Sequence, residues 1–558
     1  MRTKDEISAE YARWLEEAKD PELAARLREL DEAGIEDAFY QDLAFGTAGL
    51  RGVMDAGTNR MNRYTVAKAS QGLANYLKGR YPAPSVAVAY DSRRQSDGFA
   101  RTACGVFAAN GIRVHLYPEL MPTPCLSWAV RALGCSAGVM VTASHNPAQY
   151  NGYKVYGPDG CQITTEAAEA ILGEIEKLDL FRDTAEMEFD AALERGLVSL
   201  ISRETEDAYL DRVLDQSVLF GDRADRDVTI VYSPLNGTGR IPVLRALEAS
   251  GFRNIAVVRE QEEPDGDFPT CPYPNPENPE AMALGLEACR KLGADLFLAT
   301  DPDCDRCGIA VRDGEEYRLL TGNEVGILML DYICRQRSEH GKMPPDPVFV
   351  KTVVTTDLAE KIAARYGVRT VNVLTGFKFI GEVVGGLEAE GRENSYILGF
   401  EESCGYLTGP YVRDKDGVDA VLMICEMYAR YRALGITLPE RLEEIYREYG
   451  HCLSAVYSFA FPGSAGMAEM GARMAAFRRD PPAAWGGEAV TKTLDYAGGL
   501  DGLPPADVIK YFTASASVVI RPSGTEPKLK AYVSVTGRDR GSASEREQRI
   551  AAEVKALI

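Results

Sequence analysis

The stretch SVAVAYDSRRQSDGFARTACGVFAANGIRVHLYP, Ser85 to Pro118, decides the fold class. It opens with a run of small and β-branched residues, continues through a polar segment, and then carries apolar residues at helical spacing over 98–111. A second short apolar run closes it. A strand, a helix and a strand in this order are typical of an α/β domain with a largely parallel sheet.

The same pattern recurs at 227–260 and at 347–376. These copies indicate a diverged internal repeat, so we expect three similar α/β domains. The end of the chain differs, because the Gly-, Pro- and Ala-rich stretch 480–507 precedes a predicted strand pair over 515–535. We expect a smaller α+β domain there and a helical lead over about 6–32 at the start. The predicted domains are 1–203, 204–318, 319–448 and 449–558.

The composition is that of an ordinary globular protein with an acidic surface. Of 558 residues, 45% are apolar and 26% are charged, and the formal net charge is −21. This charge argues against nucleic acid or an anionic membrane as a partner, because both require a basic surface. The N-terminal residues lack the apolar core of a signal peptide, and no apolar run is long enough to span a membrane. We therefore expect a cytoplasmic protein.

The cysteines are scattered singly along the chain, apart from Cys304 and Cys307. The C-x-x-C spacing of these two is half of a zinc site, but no second C-x-x-C and no H-x₃-H exists to complete four ligands. We therefore reject zinc here and expect reduced, mostly buried thiols.

The segment DPDCDR, Asp301 to Arg306, carries three carboxylates at alternating positions. It follows the predicted strand 294–300, and open α/β sheets bind ligands at the carboxyl ends of their strands. An EF-hand loop is excluded, because Arg306 stands where that loop needs Gly and Arg312 where it needs Glu. Oxygen ligands in this arrangement suit Mg²⁺, and the alternative is a solvated acidic turn. The predicted magnesium ligands are Asp301, Asp303 and Asp305.

The segment RPSGTEPK, Arg521 to Lys528, places several hydrogen-bond donors in one short loop. A guanidinium, hydroxyl groups and backbone N–H groups can together hold a phosphate dianion. The alternative is a plain hairpin turn between two strands.

The segment VMVTASHNPAQYNGYK, Val139 to Lys154, ends an apolar run at Ser144 and His145. A Ser–His hydrolase pair is disfavoured, because neighbouring side chains are expected to diverge. A helix cap at Ser144 or Asn146 is a reasonable alternative. The magnesium loop and the phosphate loop in the same chain favour a third interpretation, in which Ser144 carries a phosphoryl group.

Taken together, these motifs resemble the α-D-phosphohexomutase family, which contains phosphoglucomutases and phosphomannomutases. The resemblance covers the chain from about residue 40 to its end, with the loops in the family's order. Cys304 is a departure, because the family usually has Gly or Ala there, and we expect the metal site to survive it. The matching segments are FGTAGLRG at 45–52, TASHNP at 142–147, DPDCDR at 301–306, GFEESCGY at 399–406 and RPSGTEP at 521–527.

The resemblance implies three similar α/β domains with mixed sheets and a smaller C-terminal α+β domain around a central cleft. It implies that phosphorylated Ser144 transfers its phosphate to a sugar phosphate, with Mg²⁺ held by the three aspartates and a phosphoserine oxygen. The resulting glucose 1,6-bisphosphate is also the expected activator. Lys154 is favoured as the general base, with His145 supporting the phosphate and Arg51 adding positive charge. His115, His340 and His451 are expected to be structural.

The resemblance also assigns substrate contacts, of which Glu401 and Ser403 hold sugar hydroxyls that glucose and mannose share. GFEESCGY, the neighbouring LTGFKFIG at 374–381 and the N-terminal lead look most like the branch that contains the longer bacterial phosphoglucomutases and eukaryotic phosphopentomutase relatives. Glucose is favoured as the sugar. A phosphomannomutase or phosphopentomutase, a phosphoserine-type phosphatase and a non-catalytic binding protein remain alternatives. We expect a monomer or weak homo-oligomer. The other substrate-binding candidates are Arg306, Gly376, Lys378, Arg521, Ser523, Gly524 and Thr525, followed by Arg93 and Lys528.

Overall fold

The computed structural model describes residues 1–46, 49–461, 463–523 and 528–558, with the backbone alone at 463–465. Its N-terminal lead is helical, as predicted, and consists of three short helices. They are separate because Asp20 and Asp31 each cap a new helix, and Pro21 stands in a first turn. These helices are α1 (Lys4–Glu17), α2 (Pro21–Glu29) and α3 (Glu32–Phe39).

The first α/β unit is built on a mixed sheet. Its elements are β1 (Phe45–Gly46), β2 (Gly49–Val53), α4 (Arg63–Arg80), β3 (Ser85–Tyr90), α5 (Ser96–Ala109), β4 (Arg113–Leu116), α6 (Thr123–Ala132), β5 (Ala137–Val141), β6 (Tyr150–Tyr156), α7 (Thr165–Ile175), α8 (Phe189–Glu194) and β7 (Val198–Leu200). The strand order is β1-β2-β6-β5-β3-β4-β7, with β3 parallel to β4 and β5 and with β6 antiparallel to both its neighbours. The opening stretch forms β3, α5 and β4, as predicted.

The second α/β unit repeats this plan with a shorter sheet. Its elements are α9 (Arg203–Leu214), β8 (Ile230–Ser233), α10 (Arg240–Ala249), β9 (Ile255–Val257), α11 (Arg259–Glu262), α12 (Pro279–Leu292), β10 (Leu296–Thr300), β11 (Cys307–Asp313) and β12 (Glu316–Leu320). The order is β12-β11-β10-β8-β9, and β8 is parallel to both its neighbours. The loop between β10 and β11 carries the three aspartates.

The third α/β unit follows the same plan. Its elements are α13 (Gly322–Glu339), β13 (Val348–Thr352), α14 (Leu358–Arg365), β14 (Arg369–Val373), α15 (Phe377–Ala389), a 3₁₀ turn (Glu393–Ser395), β15 (Tyr396–Glu401), β16 (Gly405–Leu407), α16 (Gly417–Ala433) and α17 (Leu438–Tyr449). The order is β14-β13-β15-β16, and β13 is parallel to both its neighbours. One buried apolar cluster contains residues of all three α/β units, including Tyr156, Leu298 and Phe400.

The C-terminal unit is built on an antiparallel sheet. Its elements are β17 (His451–Ala460), α18 (Gly463–Arg479), β18 (Ala484–Trp485), β19 (Glu488–Ala489), β20 (Lys492–Asp495), β21 (Ile509–Phe512), β22 (Ala516–Pro522), β23 (Lys528–Gly537) and α19 (Arg540–Leu557). The order is β17-β23-β22-β21-β20. The predicted fold class is therefore confirmed, whereas the predicted domain boundaries stay predictions. No helix among the described residues is both long and apolar enough to cross a bilayer.

A partly buried ionic contact ties the C-terminal unit to the third α/β unit. Asp357, between β13 and α14, accepts hydrogen bonds from Lys510 Nζ at 2.7 Å, Ser517 Oγ at 2.7 Å and Lys351 Nζ at 3.1 Å. Burial alone would raise the pKa of Asp357, but the two ammonium groups outweigh it and lower that pKa below its ordinary value.

Candidate active site

The loop between β5 and β6 presents Ser144 at the end of a buried strand. The backbone N–H of Ser144 donates to Thr142 Oγ1 at 2.8 Å, and Ser144 has a left-handed φ of 52°. This conformation is uncommon for a residue other than glycine, so the surrounding contacts must hold it. No helix starts here, because the chain passes through two turns between Ser144 and β6, and the helix-cap alternative is wrong.

The side chain of Ser144 faces the second α/β unit. Its Oγ donates to Asp301 Oδ2 at 2.9 Å and lies 3.2 Å from His145 Nδ1. The expectation that the serine and histidine side chains diverge was wrong. It assumed an extended backbone, whereas the left-handed turn at Ser144 brings the two side chains to the same side of the loop.

The three aspartates of the β10–β11 loop form a compact cluster. One carboxylate oxygen from each aspartate lies within 4.8 Å of one from each of the other two, and all three side chains are buried. The alternative of a solvated acidic turn is therefore wrong. Asp303 Oδ1 and Asp305 Oδ1 are buried without a hydrogen-bond partner, which suits oxygen atoms that would ligate a hard cation. The donor set thus fits Mg²⁺.

Cys304 lies between these aspartates with a left-handed φ of 51°, which explains why a glycine would be comfortable there. Its side chain is buried and leaves the carboxylates clustered. The thiol packs closely against glycine backbones, since a Cβ at Gly239 would lie 2.9 Å and one at Gly417 3.1 Å from its Sγ.

Two arginines lie beside the Ser144 loop. Arg51, on β2, donates through Nη1 to Asn146 Oδ1 at 3.0 Å. Arg93 does not fit its prediction as a substrate-binding residue, because its side chain is fully buried and its guanidinium binds carbonyl groups of the loop.

The third α/β unit contributes the segment after β15. Glu401 is buried, and its Oε1 accepts a hydrogen bond from the backbone N–H of Gly376 at 3.0 Å. Ser403 is half-buried in the turn that connects β15 to β16. Lys378, in the first turn of α15, is largely buried, and its Nζ lies 5.1 Å from the centre of the Phe379 ring.

The C-terminal unit contributes residues at the end of β22 and the start of β23. Arg521 is half-buried with its Nη1 at 3.5 Å from Tyr532 Oη, and the N–H of Ser523 donates to the carbonyl of Lys528 at 2.8 Å. The segment connects two antiparallel strands, as the hairpin alternative predicted. This connection is also compatible with phosphate binding. The predicted residues Gly524 and Thr525 lie outside the described residues, as do Thr47 and Ala48 of the segment 45–52.

Domain models of one protein family match four successive parts of the chain. They are phosphoglucomutase/phosphomannomutase alpha/beta/alpha domain I over 42–182, domain II over 207–314, domain III over 321–449 and the C-terminal domain over 463–554. A phosphoglucomutase of Staphylococcus haemolyticus is 35% identical over 515 residues, which cover 90% of this chain and 91% of that protein. This chain belongs to the phosphoglucomutase/phosphomannomutase family.

Other members of this family match along nearly the same length. A phosphoglucomutase of Staphylococcus aureus (strain USA300) is 34% identical over 539 residues, covering 94% of this chain and 95% of that protein. A crystal structure of a phosphoglucomutase/phosphomannomutase family protein from Burkholderia thailandensis shares the fold, with a TM-score of 0.68 and 17% identity over 92% of this chain and 97% of that one. The chain is therefore an enzyme of the phosphohexomutase family, and the predicted resemblance is confirmed.

In this phosphohexomutase site, two lysines neutralise part of the aspartate cluster. Lys154 Nζ lies 2.9 Å from Asp303 Oδ2 and 3.7 Å from Asp305 Oδ2. Lys415 Nζ lies 3.1 Å from Asp305 Oδ2 and 3.1 Å from Asp414 Oδ1. Sequence reasoning missed Lys415. The run RDKD at 413–416, with four charged residues directly before a hydrophobic helix, is the signal that could have found it.

Burial dominates the protonation of the site. It lowers the pKa of His145 well below its ordinary value, and Arg306 and Arg51 lower it further, so the imidazole is neutral. Burial would also lower the pKa of Lys154, but the negative charges of Asp303 and Asp305 outweigh this effect, so the pKa of Lys154 is raised. The pKa of Glu402 rises to about 7, first through burial and then through the charge of Glu401.

Proposed function

We propose that this chain is a phosphoglucomutase that interconverts glucose 1-phosphate and glucose 6-phosphate through a phosphorylated Ser144. The observation that carries the proposal is the 2.9 Å contact of Ser144 Oγ with Asp301, a member of the buried three-carboxylate cluster. A hydroxyl in that place can share a cation with the carboxylates once it carries a phosphoryl group. The Staphylococcus relatives at 35% and 34% identity are named phosphoglucomutase, which supports glucose over mannose or a pentose.

Asp301, Asp303 and Asp305 would hold Mg²⁺, with a phosphoserine oxygen as a further ligand. When bound, the ion would supply positive charge to the phosphoryl group in transfer, worth on the order of several kcal/mol. Arg51 and Arg306 add positive charge from the protein side. The backbone N–H of Arg306 also donates to Asp301 Oδ1 at 3.0 Å, which keeps this carboxylate oriented.

Ser144 carries the phosphoryl group between two hydroxyls of the sugar. The P–Oγ bond of the phosphoserine breaks as a P–O bond to the free sugar hydroxyl forms, which gives glucose 1,6-bisphosphate and a free serine. The bisphosphate turns in the cleft, and its other phosphoryl group returns to Oγ. Added glucose 1,6-bisphosphate therefore activates the enzyme, because it phosphorylates a bare Ser144.

The sugar hydroxyl loses its proton as the phosphoryl group arrives. We assign this proton to Lys154, which the resemblance favours and whose Nζ lies beside the carboxylate cluster. Because Asp303 and Asp305 raise the pKa of Lys154, its amine would be neutral and able to accept the proton only once a bound cation takes up the charge of these carboxylates. His145 is the second candidate, because its Nδ1 lies 3.2 Å from Ser144 Oγ.

The remaining assignments concern the two ends of the substrate. Glu401 and Ser403 hold sugar hydroxyls, and the N–H of Gly376 fixes the Glu401 carboxylate. Gripping the phosphate that does not react would hold the sugar in place and help to exclude water. The residues assigned to that phosphate are Lys378, Arg521, Ser523 and Lys528, with Gly524 and Thr525 assigned by resemblance.

One assay tests the reaction and the sugar together. The protein is given glucose 1-phosphate, mannose 1-phosphate or ribose 1-phosphate with Mg²⁺ and a trace of the matching bisphosphate, and isomer and free phosphate are both measured. We expect glucose 6-phosphate in large excess over free phosphate and the highest kcat/KM for glucose 1-phosphate. Release of phosphate without isomer would replace the mutase by a phosphatase. A higher kcat/KM for mannose 1-phosphate or ribose 1-phosphate would replace the assigned sugar.

A further inference from the structure

Arg93 uses every terminal N–H of its guanidinium on the backbone of the Ser144 loop. Its Nη1 donates to the carbonyls of Pro147 at 2.9 Å and Tyr150 at 3.0 Å. Its Nη2 donates to the carbonyls of Ser144 and Asn146. Because the two terminal nitrogens together carry four hydrogens, these bonds leave none for a substrate.

The fifth N–H of this guanidinium faces the buried carboxylate of Asp91, which is linked through Thr142 to the backbone N–H of Ser144. Arg93 Nε lies 3.3 Å from Asp91 Oδ2, and both side chains are fully buried. Asp91 Oδ2 also accepts a hydrogen bond from the Thr142 hydroxyl at 2.6 Å. Thr142 Oγ1 in turn accepts the N–H of Ser144 at 2.8 Å. The Asp91–Arg93 pair therefore fixes both the N–H and the carbonyl of Ser144.

Ser144 needs this support because of its backbone conformation. A left-handed φ of 52° is unfavourable for serine and persists only where surrounding contacts determine it. A more extended backbone would rotate Oγ away from Asp301, with which it makes its 2.9 Å hydrogen bond. The contacts of Arg93 with the loop carbonyls oppose that rotation.

The second α/β unit packs against the Arg93 side chain through Phe268. The ring of Phe268 lies 5.0 Å from the Arg93 guanidinium carbon, and Phe268 is itself fully buried. The neighbouring backbone approaches so closely that a Cβ at Gly266 would lie 2.4 Å from the backbone nitrogen of Arg94. An ion pair between Arg94 and Asp267 joins the same two segments. The cation–π contact thus spans the two units that contribute Ser144 and the aspartate cluster.

We propose that Arg93 is a positioning residue, which holds Ser144 in its reactive orientation from behind the loop and contacts no substrate. This inference rests on the proposed role of Ser144 as phosphoryl carrier. Its expected signature is a loss of kcat at nearly constant KM, because the substrate contacts are unchanged while the phosphoryl carrier is displaced. A displacement of about 1 Å is enough for a loss of roughly 100-fold.

The test compares Arg93→Lys with two other variants. A lysine keeps the charge, but its single ammonium cannot bridge four carbonyls. We expect kcat for glucose 1-phosphate to fall by roughly 10- to 100-fold with KM within about 3-fold, and phosphorylation of bare Ser144 by glucose 1,6-bisphosphate to slow in parallel. Hydrogen–deuterium exchange of the peptide spanning 142–150 should accelerate, while peptides of the C-terminal unit stay unchanged.

Arg441→Lys is the matched control, since Arg441 is also buried and donates to a buried carboxylate, that of Asp331, through Nε at 3.0 Å and Nη2 at 2.7 Å. It should lower the unfolding midpoint without lowering kcat. Phe268→Leu is the second variant, because it removes only the ring over Arg93. Phe268→Leu should lower kcat by a few-fold and accelerate hydrogen–deuterium exchange in the same 142–150 peptide. If Arg93→Lys does not fold, the positioning role is tested with Phe268→Leu alone.

The outcomes separate this inference from the proposed function. An unchanged kcat in Arg93→Lys, or a raised KM with kcat kept, would overturn the positioning role. If Arg93→Lys does not fold, unchanged kcat and exchange in Phe268→Leu would do the same. A wild-type protein with no isomerase activity and no phosphoserine would refute the proposed function instead, and the exchange experiment would still report whether Arg93 holds the loop.

Discussion

Replacing Asp303 by asparagine removes one charge from the aspartate cluster with almost no change in shape. Asp303 is fully buried, and its Oδ2 accepts hydrogen bonds from Lys154 at 2.9 Å and from Thr123 Oγ1 at 3.0 Å. Its Oδ1 is buried without a partner, so it is the oxygen most available to a cation. The variant therefore weakens a cation site and an ion pair while it leaves the sugar-binding segment intact.

The size of the effect follows from these contacts. The ion contributes on the order of several kcal/mol to phosphoryl transfer, and if the loss of one of three carboxylate ligands displaces the ion, most of this contribution, about 3–4 kcal/mol, should be lost. At about 1.4 kcal/mol per factor of ten, kcat falls by roughly 100- to 1,000-fold. The lost charge-assisted bond to Lys154 adds about 1.5–3 kcal/mol to the loss of folding stability.

The assay measures kcat and KM for glucose 1-phosphate against Mg²⁺ concentration, and Mg²⁺ binding by calorimetry. The control is Asp295→Asn, because Asp295 lies at the opposite end of the same strand and pairs with Arg432 at 2.7 Å. We expect the control to keep its kcat and the Asp303 variant to lose Mg²⁺ affinity with KM little changed. A kcat of Asp303→Asn within about 3-fold of wild type at saturating Mg²⁺ would refute the metal role of this cluster.

Three further perturbations probe other parts of the molecule. Ser144→Ala should abolish isomerisation and remove one phosphate from the intact mass, and an active, still phosphorylated variant would contradict the carrier role. Lys154→Met should lower kcat more than His145→Gln does, and the reverse order would transfer the general-base role to the histidine. Asp357→Asn should lower the urea midpoint at pH 7. Because the pKa of Asp357 is depressed in the folded protein, its stabilisation is present above its unfolded pKa of about 3.9 and is lost as the pH falls further. Wild type should therefore lose more stability than Asp357→Asn between pH 5 and pH 3, and equal losses would show that Asp357 is not the titrating group.

The parts of the site that sequence reasoning predicted are those whose residues are close together in the chain. The three metal-binding candidates occupy one loop after one strand, so their spacing alone places their carboxylates together. The α/β units were predictable for a similar reason, because strand and helix periodicities are local. The helical lead was predicted in the same way, although its periodicity did not show that Asp20 and Asp31 divide it into three helices.

Residues that act across units could not be assigned in this way. Lys415 reaches Asp305 from the third α/β unit, and a basic residue in a charged run gives no indication of the carboxylate that it will meet. Arg93 was predicted to bind substrate, but its donors are taken up by the Ser144 loop, whose bonded carbonyls lie 51 to 57 residues further along the chain.

The conformation of Ser144 connects these observations. The left-handed φ of Ser144 could not be predicted from the sequence, because glycine is the residue that usually indicates such a turn. Buried partners in the segment between β3 and α5, together with Phe268 of the second α/β unit, surround the loop that adopts this conformation. The same turn brings His145 Nδ1 and Asp301 Oδ2 to Ser144 Oγ, at 3.2 and 2.9 Å. The reactive geometry of the serine is thus a property of the packed units, and variants that loosen this packing should impair phosphoryl transfer before they impair sugar binding.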